Sequence, residues 1–160
     1  MARVFVYGTL LRGGPNAHHL LSSSFVGEAQ TVSPYYFISN ETSLPPHESY
    51  RYPYLMRSPS AATQTPTQVR GEVYDVDVAT LERLDLLEGH PEHYRRQRIE
   101  VISSTDSRRL EADTYILEHE PTKANIIKSL DNSISSADYK VINGGDWRAF
   151  VGGYPFSSSS

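Results

Sequence analysis

The chain has 160 residues, enough for one domain with its own core, and its 38% hydrophobic and 21% charged content is that of a globular protein. It has no cysteine, which excludes disulfide scaffolds, thiol nucleophiles and Cys-ligated zinc. Fifteen Lys+Arg stand against 19 Asp+Glu, a net charge of −4 that argues against nucleic-acid backbone binding, and no apolar run approaches the ~20 residues of a membrane helix.

Met1 to Tyr7 is too short an apolar run for a secretory signal, and with no cysteine the cytosol is the expected compartment. Val4-Phe5-Val6-Tyr7 reads as a strand buried on both faces, broken by Gly8-Thr9. Arg12 to Asn16 is a dense turn signal, and Ala17 to Leu21 is predicted as one or two helical turns. Phe25-Val26 and Tyr35 to Ile38 mark a β-rich stretch. From Ser43 to Gln68 prolines prevent a long helix, yet Tyr50, Tyr52 and Tyr54 predict an ordered loop packed on the body. Val69 to Val76 alternates like a half-buried strand, with Gly71 marking a bulge or a close backbone approach. Asp77 is the expected N-cap of a helix over 78–88, Gly89 its stop. Tyr94 to Ile102 and Ala112 to Leu117 are further strands, Pro121 to Ser129 a possible helix, and 157–160 a disordered tail. The order predicts a single α+β domain over 1–156 with a mixed or antiparallel sheet.

Two features point to chemistry. Leu81, Leu84 and Glu88 fall at i, i+3 and i+7, so Glu88 sits on the apolar stripe of its helix. A carboxylate there is costly unless paired, protonated or useful, and burial would raise its pKa to where it can take and give a proton. The alternative is a last-turn residue that reaches solvent. The second feature is Tyr7-Gly8-Thr9-Leu10: a buried strand ending in Gly can present successive backbone N–H groups to an anion. The alternative is a plain strand-to-turn junction.

Other patterns are weaker. His90 and His93 are spaced for a metal on a helix, but Gly89 and Pro91 break one, so no metal is expected. His18 and His19 are adjacent and are expected to point different ways. Tyr94-Arg95-Arg96-Gln97-Arg98 could be a basic patch, but a strand would split it between two faces, and a solvated edge is expected instead.

Val4-Phe5-Val6-Tyr7-Gly8-Thr9-Leu10 resembles the signature of the γ-glutamylcyclotransferase-like (AIG2-like) superfamily, and its continuation to Asn16 resembles the γ-glutamylamine cyclotransferase branch. That branch typically has Lys and Gln where this chain has Leu11 and Gly14. Val69 to Tyr74, Leu84 to Gly89 and Tyr94-Arg95 form a second similar block, and Gly145-Asp146-Trp147-Arg148 a third. The resemblance implies a small mixed β-barrel flanked by helices. It implies Glu88 as the catalytic residue, Tyr7, Gly8, Thr9 and Leu10 as the substrate-binding loop, and no cofactor. It implies conversion of a small γ-glutamyl compound, such as γ-glutamyl-ε-lysine, to 5-oxoproline and a free amine. The stretch around Tyr50 to Tyr54 is a candidate for the leaving-group side, and Tyr94 or Tyr115 for a donor to Glu88. The rivals are a cyclotransferase for γ-glutamyl amino acids or glutathione, and a non-catalytic binding module. No nucleic acid, membrane or obligatory protein partner is expected.

Overall fold

The computed structural model of the chain describes residues 1–40, 52–59, 65–118 and 139–152. The possible helix at 121–129 and the tail at 157–160 lie outside them.

Five strands close a barrel in the order β1 (Ala2–Val6), β5 (Arg70–Val76), β2 (Ser24–Thr31), β6 (Tyr94–Ser103) and β7 (Arg109–Leu117). All neighbours are antiparallel except β7 and β1, whose parallel pairing of Val4 with Asp113 closes the ring. β3 (Tyr36–Asn40), β4 (Pro53–Met56) and β8 (Tyr139–Val141) form a second, antiparallel sheet in the order β4-β3-β8. The expected mixed barrel is present.

Among the described residues two α-helices flank it: α1 (Val78–Glu88), and the single turn α2 (Trp147–Phe150) after a 3₁₀ turn at Asn143–Gly145. α1 has the boundaries its caps predict. Asp77 accepts from the backbone N–H of Thr80 at 2.7 Å, and Gly89 adopts the left-handed C-cap conformation at φ 67°.

β1 is buried on both faces, as its run of Val, Phe and Val requires. Val4, Phe5 and Val6 are at most 3% exposed, and burying each contributes roughly 1.5–3 kcal/mol. β5 departs from the expected half-buried pattern. Glu72 and Tyr74 are buried as well as Gly71 and Val73, because chain segments distant in sequence cover the outer face of the strand. Gly71 is a site of close backbone approach: a Cβ there would lie 2.1 Å from the Val6 carbonyl oxygen. The proline-rich stretch expected as a loop contains a strand, β4, because Pro53 to Met56 pairs along β3. That pairing places Tyr52 and Pro53 at the mouth of the barrel.

Candidate active site

At the end of the barrel where β1 runs out, a cavity of about 250 Å³ opens. Tyr7, Gly8, Thr9 and Leu10 line one wall, and Glu88 at the end of α1 faces them. Tyr94 at the start of β6, Tyr115 on β7, and Tyr52 and Pro53 complete it. The structure thus brings together all five residues singled out from the sequence.

The loop after β1 is built from overlapping turns. Leu11 N–H donates to the Gly8 carbonyl at 3.0 Å, and Asn16 N–H to the Thr9 carbonyl at 2.9 Å. The Asn16 side-chain amide also donates to Thr9 Oγ1 at 2.9 Å. These bonds occupy the carbonyls of residues 8 and 9. The backbone N–H groups of Gly8, Thr9 and Leu10 have no acceptor among the described residues. Unpaired N–H groups bordering a cavity are available to an anion or a developing oxyanion. Gly8 is also fixed by packing, since a Cβ would sit 2.5 Å from Pro53 Cγ. The reason for glycine at position 8 is therefore a protein neighbour, not only the approach of a ligand.

Glu88 lies on the face of α1 that carries the buried Thr80 and Leu84, as the helical stripe predicts. Its carboxylate has no hydrogen bond or ion pair among the described residues. Burial pushes its pKa up from 4.5 to about 7. The negative end of the α1 dipole acts in the same direction. Three tyrosines surround it. Tyr7 and Tyr94 are held well above the ordinary phenol range, first by burial and then by neighbouring groups that include Glu88. Tyr115 is raised by burial and by its hydrogen bond to Asp85, with a smaller contribution from Glu88. All three stay protonated where Glu88 titrates.

None of these phenols gives its proton to Glu88, contrary to the expectation for Tyr94 and Tyr115. Tyr94 donates to the Pro53 carbonyl at 2.8 Å, Tyr115 to Asp85 at 2.7 Å, and Tyr7 to the Tyr115 carbonyl at 2.5 Å. The tyrosines build the wall and pin the elements, and the carboxylate is left to the cavity. Asp85, one turn before Glu88, also pairs with Arg96, so the last turn of α1 is moored to both β6 and β7.

Phe5, Val6, Asn16, Leu87 and His93 also line the cavity, and the sequence alone did not mark the last three for the site. Asn16 reads as a turn residue, Leu87 as one of several helix leucines, and His93 as half of a metal spacing. The two histidines serve different ends. His90 Nδ1 accepts from the backbone N–H of Arg96 at 2.9 Å, whereas His93 faces the cavity, and burial lowers its pKa. His18 and His19 do not point apart; their rings lie 4.2 Å from centroid to centroid. The arginines of β6 are not a free basic edge. The strand lies inside the closed barrel, and Arg95, Arg96 and Arg98 pair with Glu118, Asp85, Asp113 and Glu111. Among the described residues no helix is long and apolar enough to cross a membrane.

A closed mixed barrel with a carboxylate facing an N–H-lined loop at one end defines a class. Residues 4–149 match the gamma-glutamyl cyclotransferase, AIG2-like family. A Methanocaldococcus jannaschii protein named "Putative gamma-glutamylcyclotransferase" is 32% identical over 145 residues, covering 90% of this chain and all of its own. A Drosophila melanogaster protein of the same printed description is 36% identical, covering 76% of this chain and 73% of its own. The gamma-glutamylaminecyclotransferase of Bos taurus is 37% identical over 107 residues, covering 63% of this chain and 56% of its own. Among solved structures, a mouse AIG2-like protein superposes with a TM-score of 0.59 at 24% identity, covering 89% of this chain and 95% of that one. The chain belongs to the gamma-glutamyl cyclotransferase, AIG2-like family. It is an enzyme of the γ-glutamylcyclotransferase type, which forms 5-oxoproline.

Proposed function

We propose that this chain is a γ-glutamylamine cyclotransferase, with Glu88 as its proton-transfer group and the Tyr7 to Leu10 loop as its seat for the glutamyl head. The substrate's free α-amine attacks its own γ-carbonyl carbon. A C–N bond forms, closing the five-membered ring. The proton of the attacking amine passes to Glu88. The bond to the leaving amine then breaks as Glu88 returns that proton to its nitrogen, releasing 5-oxoproline and a free amine. The nucleophile belongs to the substrate, so the protein has to fold the chain, move a proton and hold an oxyanion. Orientation contributes on the order of several kcal/mol, and general acid–base catalysis typically ~10²–10⁴-fold.

The observation that carries this reading is the pairing, across one cavity, of an unpartnered carboxylate titrating at about 7 with a run of unpaired backbone N–H groups. A group of that pKa is half ionised near neutral pH, able to accept a proton and basic enough to keep it briefly. The choice of an amine as leaving group rests on the lining. No Lys or Arg lines the cavity among the described residues, so no cationic side chain there awaits the carboxylate of a leaving α-amino acid, and the backbone N–H groups are left to the glutamyl head. Tyr52, Leu87 and His93 instead offer an aromatic and apolar side to an alkyl stem.

The deciding experiment is 5-oxoproline release by wild type and Glu88→Gln from γ-glutamyl-ε-lysine, a γ-glutamyl α-amino acid and glutathione. Release from the isopeptide, reduced roughly 10²-fold or more by the substitution, is expected. Release from either other compound in preference moves the substrate. Wild-type turnover in Glu88→Gln overturns the role of Glu88.

A further inference from the structure

Arg12, Glu72 and Arg148, one from each of the three sequence blocks, meet at an ionic cluster outside the lining of the catalytic cavity. Glu72 on β5 is 1% exposed. Its Oε1 accepts from the Arg12 backbone N–H at 2.9 Å and from the Tyr74 hydroxyl at 3.0 Å. Its Oε2 faces Arg12 Nε at 3.5 Å and Arg148 Nη2 at 3.6 Å. Arg148 Nη2 also donates to the Arg12 carbonyl at 2.5 Å. The Arg12 guanidinium stacks over Phe25, 4.2 Å from the ring centre, and Phe25 meets Tyr74 edge-on. Residue 12 is therefore gripped at its N–H, its carbonyl and its side chain.

Only Glu72 of the three is buried, and the cluster is weak evidence for stability, because solvent screens the exposed arginines and desolvating the carboxylate offsets much of the attraction. Its geometry suggests another use. Arg12 closes the loop that begins at Gly8, and the bond from Leu11 N–H to the Gly8 carbonyl carries any displacement of residue 12 back to residue 8. Leu10 and Leu11 are packed into the core, whereas the Arg12 side chain is 58% exposed at the outer end of the loop. A second cavity of about 440 Å³ lies there, lined by Leu11, Glu72 and Arg148 among others.

We propose that Glu72 and Arg148 are positioning residues for the cyclotransferase reaction, which clamp the backbone of Arg12 and so aim the N–H groups of Gly8, Thr9 and Leu10 into the catalytic cavity. The inference rests on the reading that those N–H groups seat the glutamyl head. Neither residue touches the substrate.

The test compares Arg148→Ala, Arg148→Lys and Glu72→Gln with wild type, by steady-state kinetics and by backbone amide NMR of the intact chain. Arg148→Ala is expected to raise KM about ten-fold with a much smaller change in kcat, the pattern of lost uniform binding. Arg148→Lys keeps one donor for the Arg12 carbonyl and recovers part of the loss. The amide signals of Gly8, Thr9 and Leu10 should move in Arg148→Ala and Glu72→Gln and return toward wild type in Arg148→Lys. Kinetics and amide signals unchanged in a folded Arg148→Ala overturn the proposal. Loss of folding in both Arg148→Ala and Glu72→Gln would assign the cluster to the fold and also overturn it. If wild type releases no 5-oxoproline, the functional reading fails by itself. The amide signals then decide whether the clamp sets the loop.

Discussion

Between pH 4.5 and about 7 the folded chain holds a proton at Glu88 that the unfolded chain has largely released. The folded-state pKa is the higher one, so the stabilising contribution is full below 4.5 and is lost as pH rises through about 7. Above that pH the ionised carboxylate opposes the fold. Glu88→Gln should therefore melt about a few degrees above wild type at pH 8 and close to it at pH 4.5, measured by thermal unfolding. Equal melting temperatures at pH 8 would count against a desolvated Glu88. In the wild-type enzyme kcat/KM should rise with pH through a limb near 7, and the residual kcat/KM of Glu88→Gln should lack that limb. Glu88 was legible in the sequence because a helix writes its buried face at a fixed period. Glu72 was not. On an alternating strand it falls on the face that reads as solvent, and what covers it comes from Arg12 and Arg148, 60 or more residues away.

α1 carries its own boundary signals, and both its ends could be read because Asp77 and Gly89 act within one turn. β4, β8 and α2 have no such signals. β4 and β8 are three or four residues long and exist through pairing with β3, and α2 is a single turn capped by Asp146. The two ends of α1 should respond differently to substitution. Asp77→Ala removes the N-cap, ten residues from the nearest wall of the cavity, and should lower the melting temperature by about a few degrees with kcat/KM nearly unchanged. Asp85→Asn weakens the mooring of the last turn to Arg96 and Tyr115. It should lower kcat/KM several-fold while a circular dichroism spectrum shows the helix intact. A wild-type kcat/KM in Asp85→Asn would show that the position of Glu88 does not depend on that mooring.

At the scale of the molecule, the barrel depends on how closely β1 and β5 meet. A methyl group at Gly71 would reach the Val6 carbonyl oxygen and, at 2.7 Å, the Phe5 ring. Gly71→Ala should cost more than about 2 kcal/mol in urea unfolding, since the groups it meets are backbone and a buried ring. Phe5 and Val6 also line the catalytic cavity, so activity should fall even in the folded fraction. The mixed barrel was legible through the family signature and the strand count. Its closure was not, because neither a strand's hydrophobic pattern nor its length states which distant partner it will find. The 9-pair register between β6 and β7 follows from a hairpin, while the single parallel bridge from β1 to β7 follows only from the finished ring.

That bridge sets a timetable for synthesis. The Thr114 hydroxyl bonds to the Phe5 carbonyl across 109 residues of sequence. At translation rates of about 5–20 residues per second, β1 would wait on the order of ten seconds on the ribosome before β7 emerges. β5 can cover one edge of β1 earlier, but the edge that β7 takes stays open for the whole interval, the kind of edge chaperones bind and neighbouring nascent chains capture.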